Sequence, residues 1–525
     1  MSARLCHPIV LACAGAMAVG IAGQAPAASF CEPVAAESTA GALVLGDGTP
    51  GSVSTAQLQA ALDAGGVIRL NLGAAPSTLT LTQTLQASRA TVLDGGGAVT
   101  LSGGGVRQIM RIVNPNPAQN APLFTVTLQN IGLRDGSTSG GRGGAIYKQH
   151  GFEFPHKVSL KLVNCRFDNN QALLDGSSQD DGGGAFYGEL LQRIDIGNCV
   201  FSGNGGSNGG ALYSLGSRRL NIVDSRFENN QATGTGGNPG NGGNGGAIGV
   251  DGGERLVDIC RSQLVGNSNN AFGGAFFSVM YDQNSRSRFE DVLVQDNQQL
   301  GSNGHSGGLY LQDGPWALER VSLIGNQASG FGALFVAGNA PGTIRNSTFS
   351  GNIARTGLGA AMALSNSAAI DIINTTIANN VASAAFAAGI SISAGNQLRL
   401  TNVLFANNSG GNLFVNWAMN NPASLDGGGN RQWPQQRPMG GGNETAVTAS
   451  AVFSDPLLPA TASSNGGAVP TLALPAGSTA IDAGVSNSSV PSTDARCEGR
   501  FGAVDVGSYE RQPATRIFRD GFDAC

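Results

Sequence analysis

One pattern is written ten times along the middle of this chain. An apolar residue recurs at Leu133, Phe167, Phe201, Phe227, Leu264, Val294, Leu323, Phe349, Ile377 and Phe405, in steps of 26 to 37 residues. Three positions later stands Asn in nine of the ten units, at Asn170, Asn204, Asn230, Asn267, Asn297, Asn326, Asn352, Asn380 and Asn408, while the first unit has Gly136. Three positions earlier stand Asn130, Asn164, Asn198, Asp224, Arg261, Asp291, Arg320, Asn346, Asn374 and Asn402. The first eight units then reach a Gly-Gly-Ala step followed by an aliphatic or aromatic residue, at 143, 183, 209, 245 and 273, decaying to GGLYL at 307, GALFV at 332 and GAAMA at 359. A period near 30 residues implies a stack, because one such unit cannot bury its own apolar face and neighbouring units can.

Within a unit, short segments alternate in polarity, as in VSLKLV at 158–163, and none shows a long helical period. Two or three strands per unit are predicted, separated by Asn and Gly corners. Stacking sets equivalent residues about 4.8 Å apart, so identical Asn side chains can hydrogen-bond along the stack. Asn also tolerates the left-handed backbone of a corner, and Gly-Gly permits a tight bend before a residue that turns inward. A recurrence in every unit reads as scaffold, since a metal or sugar site would be local. The predicted fold is all-β: a single-stranded, right-handed parallel β-helix with a short N-terminal capping helix and an irregular C-terminal cap.

The FxxN and GGA-aliphatic repeats resemble those of polymorphic outer-membrane-protein passenger domains and of other exported bacterial β-helix proteins, over roughly residues 124–415. The resemblance implies a surface or exported scaffold, not a reaction, because this fold carries many functions. Surface-anchored members end in a membrane barrel. No run of roughly ten-residue alternating strands follows residue 415, so self-anchoring by a barrel is not expected.

The ends read differently. Residues 1–28 carry Arg4, an apolar run from Ile9 to Ala22 and the small-residue stretch Ala25-Pro-Ala-Ala28, a secretory signal cleaved near Ala27 or Ala28. Cys13, after Val10-Leu-Ala, leaves a lipoprotein site as the alternative. No other stretch is long and apolar enough to cross a membrane as a helix. Residues 29–66 form an N-terminal segment ending in a helix capped by Ser54 and Gly65, with Leu58, Ala61 and Leu62 on one face. Residues 67–415 are the β-helix. Its first turns, ATVLDGGGAVTLSGGG at 90–105, resemble the entry turns of pectate-lyase-like proteins. Residues 416–450 read as loop. Within 416–510, Asp455-Pro456, Asn465-Gly-Gly467, Pro475-Ala-Gly-Ser478, Ala480-Ile-Asp-Ala-Gly484 and Asp505-Val-Gly507 resemble the choice-of-anchor region of exported β-helix proteins. The tail, 511–525, contains RIFRDGFDAC, which resembles an ending of some exported proteobacterial proteins.

Export makes disulfides permissible for the six Cys that remain, and no CxxC zinc spacing occurs. Cys497 and Cys525 are close enough in sequence for a bridge that fastens the tail. Cys165 and Cys199 occupy equivalent places in successive units, and the reduced, packed state is preferred over a disulfide. Cys31 is left open.

Gly is 80 of 525 residues, charged residues are 12%, the net charge is -5, and of the basic residues only Lys148, Lys157 and Lys161 are Lys. Nucleic acid, which demands a basic surface, is excluded as a partner. Gln179-Asp-Asp181 and Gly304-His305 superficially resemble two polygalacturonase motifs. That family places them about one turn apart, whereas here 124 residues intervene, roughly 19 Å of stack, and two further motifs are missing. The polygalacturonase reading is therefore rejected.

Charge concentrates in the loops predicted to follow the GGA strands: His150 and His156, Arg218 and Arg219, Arg255, Tyr281, Arg286 and Arg288, and Trp316. On one side of a solenoid these would line a long groove. The expected function is a secreted or cell-surface, non-enzymatic scaffold that binds an extracellular polysaccharide or a host or cell-surface protein through that groove. The alternative is a calcium-dependent polysaccharide lyase, which requires carboxylates on adjacent turns to hold Ca2+. Otherwise no cofactor is expected.

Overall fold

The computed structural model describes residues 29–116, 118–148, 155–173, 178–236, 241–252, 256–281, 284–364 and 368–513. The expected signal peptide and the tail from 514 onward, including Cys525, lie outside them. Each full coil runs through four strands, more than the two or three anticipated. One coil consists of Val158–Val163, Arg166–Asp168, Gln171–Ala172 and Phe186–Glu189. The next consists of Arg193–Gly197, Val200–Ser202, Gly205–Gly206 and Leu212–Leu215, paired in parallel register upon the first. Repeated along the chain, these build four parallel sheets, here numbered in the order the chain meets them within a coil: sheet 1 with 14 strands, sheet 2 with 14, sheet 3 with 10 and sheet 4 with 11. The architecture is a right-handed parallel β-helix.

Alternation sends every second residue inward. Ile194, Ile196, Phe201 and Leu212 enter the core, and their equivalents above and below do the same. Phe167, Phe201 and Phe227 stack face to face at 4.6 and 4.4 Å. The short third strands place mostly small residues inward, such as Ala172, Ala232, Ala328, Ala354 and Ala382, with buried Asn269 and Gln299 at the equivalent places.

Left-handed backbone recurs at the corners of the coil, including the first Gly of the GGA steps, Gly143, Gly183, Gly209, Gly245 and Gly273. Between sheets 1 and 2 it falls on Asn130, Asn164, Asn198, Asp224, Arg261, Asp291, Arg320, Asn346, Asn374 and Asn402, with φ from 45 to 56°. Between sheets 2 and 3 it falls on the residue just before each recurrent Asn, for example Asn169, Gly203, Asn229 and Gly266. The recurrent Asn therefore does not itself take the left-handed turn. It faces inward and is buried. Its Nδ2 donates to the next coil's Oδ1: Asn170 to Asn204 at 2.9 Å, Asn204 to Asn230 at 2.9 Å, and so on to Asn380 with Asn408 at 2.8 Å. The same Oδ1 also accepts the backbone N–H of the preceding coil's Asn, as Asn204 N–H to Asn230 at 3.0 Å. These contacts satisfy corner amides that the strand ladders cannot reach.

At the N-terminal end a helix, Thr55–Ala64, covers the first coil. Ser54 and Gln57 form a reciprocal capping box, and Leu58, Ala61 and Leu62 are buried. At the other end the coil continues beyond its expected stop. Leu425–Asp426 adds to sheet 1 and Arg431–Trp433 to sheet 2, within a stretch read from sequence as loop. The Glu444 carboxylate, paired with Arg437 at 2.8 Å, accepts the N–H groups of Trp417 and Ala418 at 2.8 and 3.0 Å. It stands in for the strand that would follow. Residues 455–513 fold back over the outer face of sheet 2. Ser508 bonds Thr348 and Thr376, Ser322 Oγ donates to the Pro470 carbonyl, and Leu404 packs with Leu474, Ala480 and Val506.

An arginine-lined corner beside an N-terminal strap

Sheet 1 presents outward columns fixed by register. One holds Arg193, Arg219, Leu256 and Arg286; the next holds Asp195, Asn221, Asp258 and Arg288; a third holds Gly197, Val223, Cys260 and Glu290. The N-terminal segment lies along the second and third columns as a strap. Cys31 is disulfide-bonded to Cys260, which settles the partner that sequence left open. Phe30 and Val34 pack with Val223 and Cys260, and Val34 sits against Gly197, where an added Cβ would come within 2.7 Å of it. Further along, the Glu37 backbone N–H donates to Gln129 at 2.7 Å, and its carboxylate pairs with Lys161 at 2.6 Å. The strap then joins sheet 1 through Leu43–Leu45.

Asp258 is fully buried and meets three guanidinium groups: Arg288 at 2.8 Å, Arg219 at 3.4 Å and Arg286 at 3.7 Å. One carboxylate against three cations leaves a positive excess. Burial, and then repulsion from Arg288, hold the Arg286 guanidinium below its ordinary pKa. The strap supplies a second carboxylate. Glu32 bonds Arg193 and pairs with Arg219 at 2.7 Å, and its pKa is lowered, chiefly by the Arg193 hydrogen bond. Arg193 also bonds Asp195. Arg288 lies 4.3 Å from the centre of the Phe30 ring, a cation–π contact.

Two depressions follow the corner where sheet 4 passes into sheet 1. The first, of about 540 Å³, is lined by Leu123, Ser159, Gln192, Arg193, Arg218, Arg219, Leu256 and Asn284. The second, of about 480 Å³, is lined by Tyr281, Asp313, Pro315 and Pro341 among others. At about 4.8 Å per coil, the two extend along roughly 34 Å of the axis.

The residues singled out from sequence separate on this frame. Arg218 is exposed at the first depression, and Tyr281, 64% exposed, stands at the second. Arg219, Arg286 and Arg288 are on sheet 1 strands, not on loops, and are tied to Asp258. Trp316 is a correction: it opens a sheet 1 strand, is buried, and lies flat over Gly342, where a Cβ would come within 2.0 Å of the ring. It is core, not binding surface. His156 is half-buried, with Nε2 2.9 Å from the Gly216 carbonyl. His150 and Arg255 lie outside the described residues. Cys165 and Cys199 are buried and free. Cys497 is disulfide-bonded, with its partner outside the described residues.

Sequence reading missed a feature of sheet 4. The residue after each inward GGA-aliphatic step points outward, giving a column of Tyr147, Tyr187, Tyr213, Phe277, Tyr310 and Phe335, broken by Gly249. Phe272, His305 and Phe331 form a parallel aromatic row against it. The signal was the recurrent aromatic at the fifth position of GGAIY, GGAFY and GGALY. Tyr187, Tyr213, Phe277 and Tyr310 are buried, and burial pushes the Tyr310 phenol up to about 12.

No family model matches the chain. A stretch of 107 residues is 33% identical to the probable autotransporter YfaL of Escherichia coli K12, covering 19% of this chain and 8% of that protein. Among solved structures, tailspike protein 3 of bacteriophage CBA120 aligns with TM-score 0.45 at 10% identity, over 78% of this chain and 57% of its own. Pectate lyase Pel9A aligns with TM-score 0.31 at 14% identity, over 90% and 96%. PfbA, a surface adhesin of Streptococcus pneumoniae, aligns with TM-score 0.30 at 11% identity, over 72% and 93%. These similarities are too distant to carry function. No described helix is long and apolar enough to cross a membrane.

Proposed function

We propose that this chain is an exported β-helix scaffold that binds an acidic polysaccharide along the corner between sheets 4 and 1. The observation that carries the reading is the cation excess there among the described residues. Arg193, Arg218, Arg219, Arg286 and Arg288 face Asp195, Asp258 and Glu32. Register holds the arginines on neighbouring coils, so a linear polyanion lying along the axis meets a cation about every 5 to 10 Å. Tyr281, exposed farther along, offers a ring for a sugar face. Removal of residues 1–28 and display outside the cell belong to the same proposal.

The calcium-dependent lyase is the alternative reading. Among the described residues no three His, Cys, Asp or Glu side chains converge as a metal site would require. The binding reading is tested with the double variant Arg218→Ala/Arg286→Ala, whose side chains are the least committed to internal partners. Its affinity for immobilised polygalacturonate at low salt is expected to fall about tenfold, since each lost contact contributes on the order of 0.5–1 kcal/mol. Binding unchanged by the double substitution and unaffected by salt would remove this surface from consideration.

A further inference from the structure

The positions of Glu32 and its neighbours point to a regulatory device at this surface, an inference that rests on the acidic-polysaccharide reading. We infer that Glu32 is a tethered competitor: its carboxylate occupies the place between Arg193 and Arg219 that a carboxylate of a bound polymer would take.

The register explains why. Ile194 pairs with Leu220, so Arg193 and Arg219 are direct neighbours across one sheet step, and an anion between them engages both guanidinium groups. Glu32 does so from outside the sheet, reaching down from the strap. It contributes nothing to the core, since its side chain is 49% exposed. The residue beside it, Cys31, is fixed to Cys260. The Glu32 backbone carbonyl accepts from Asn221 at 2.9 Å. A covalent anchor one residue away and a backbone bond at the residue itself hold the carboxylate at the arginine pair far more effectively than a free carboxylate at the same concentration.

The consequence is quantitative. A polymer must displace Glu32 before it engages Arg193 and Arg219, so its apparent dissociation constant is the intrinsic one divided by the fraction of molecules with the pair vacated. Removing the carboxylate, or releasing the anchor, raises that fraction toward one.

The experiment compares wild type, Glu32→Gln and Cys31→Ser/Cys260→Ser for binding of a labelled oligogalacturonate by fluorescence anisotropy at low salt. Glu32 lies on the strap, outside the β-helix core, so its substitution is expected to leave the β-helix folded. Glu32→Gln is expected to bind about tenfold tighter than wild type, and the cysteine variant also tighter, because its strap is held less firmly. Adding Arg193→Ala to Glu32→Gln should cancel the gain. Equal affinities for wild type and Glu32→Gln, with Arg218→Ala/Arg286→Ala still weakening both, would overturn the competitor while leaving the binding surface in place. No binding by any variant, Glu32→Gln included, would overturn the binding surface and the competitor with it.

Discussion

At the residue scale, the corner columns show how one position serves two ends. Arg261 and Arg320 take left-handed backbone that Asn or Gly adopts more cheaply. Each sits one coil above an Asp and pairs with it, Arg261 with Asp224 at 2.7 Å and Arg320 with Asp291 at 2.8 Å. Their surroundings differ. The Arg261 pair is 39% and 50% exposed, whereas the Arg320 side chain is 7% exposed and also bonds Glu290 and Glu319. Arg261→Asn is therefore expected to change stability by less than about 1 kcal/mol, relief of backbone strain offsetting a weak surface pair. Arg320→Asn should cost about 3–5 kcal/mol by stranding buried carboxylates. Urea unfolding of the two variants checks the contrast, and equal costs would show that burial does not decide it. In the interior ladder, Asn230→Ala leaves Asn204 without two acceptor contacts and the Phe201 carbonyl without its donor. The same measurement should show a loss of about 3 kcal/mol or more, and a loss below about 0.5 kcal/mol would mean the corner amides find other partners.

At the scale of elements, the strap is an addition to the β-helix and not part of its ladder until Leu43. It is held by one disulfide, a few apolar contacts and partly exposed ion pairs, so it belongs to the low-stability end of the molecule. Cys31→Ser/Cys260→Ser should accelerate amide exchange over residues 29–37 while leaving protection in the sheets unchanged. Gly197→Ala should do the same by lifting Val34, with the disulfide intact. A matching loss of protection in the Ile194 and Ile196 strand would show instead that the strap is integral to the core.

At the scale of the molecule, two terminal segments grip two outer faces, and their electrostatics oppose each other. In the C-terminal segment, burial raises the pKa of Asp505 and of Glu510 and lowers that of Arg500. A carboxyl whose folded pKa is raised contributes stability fully below its unfolded value and loses it as pH rises through the folded value. The reference values here are 3.8 and 4.5. Glu32 is the reverse: its pKa is lowered, so its contribution is present above 4.5 and lost as pH falls through the folded value. Acidifying from pH 7 toward 4.5 should thus tighten the C-terminal segment and leave the strap held, and further acidification should loosen the strap first. Protection factors corrected for intrinsic exchange would reveal the order. A C-terminal segment that loosens first would contradict the assigned directions.

The spacing of Asn and Gly-Gly-Ala was enough to name the stack, because each coil repeats the same demand: an inward apolar residue, a turn, and an acceptor for the corner amides. The capping helix was legible for the same local reason, with Ser54 and Gly65 carrying the signal themselves, while the Gln57 half of the capping box was not singled out. The number of strands per coil was not legible, since two-residue strands such as Gln171–Ala172 have no period to detect. The site was half legible. Arg218, Arg219, Arg286 and Arg288 were found as charge on one side, but their strand positions, their common partner Asp258 and the burial of Trp316 depend on register between coils. The strap was invisible, because Cys31 and Cys260 are 229 residues apart and nothing local pairs Glu32 with Arg193 and Arg219. Periodic local pattern determined the β-helix; only its tertiary winding decided which outward charges became neighbours and which of them the chain covered with its own N-terminal segment.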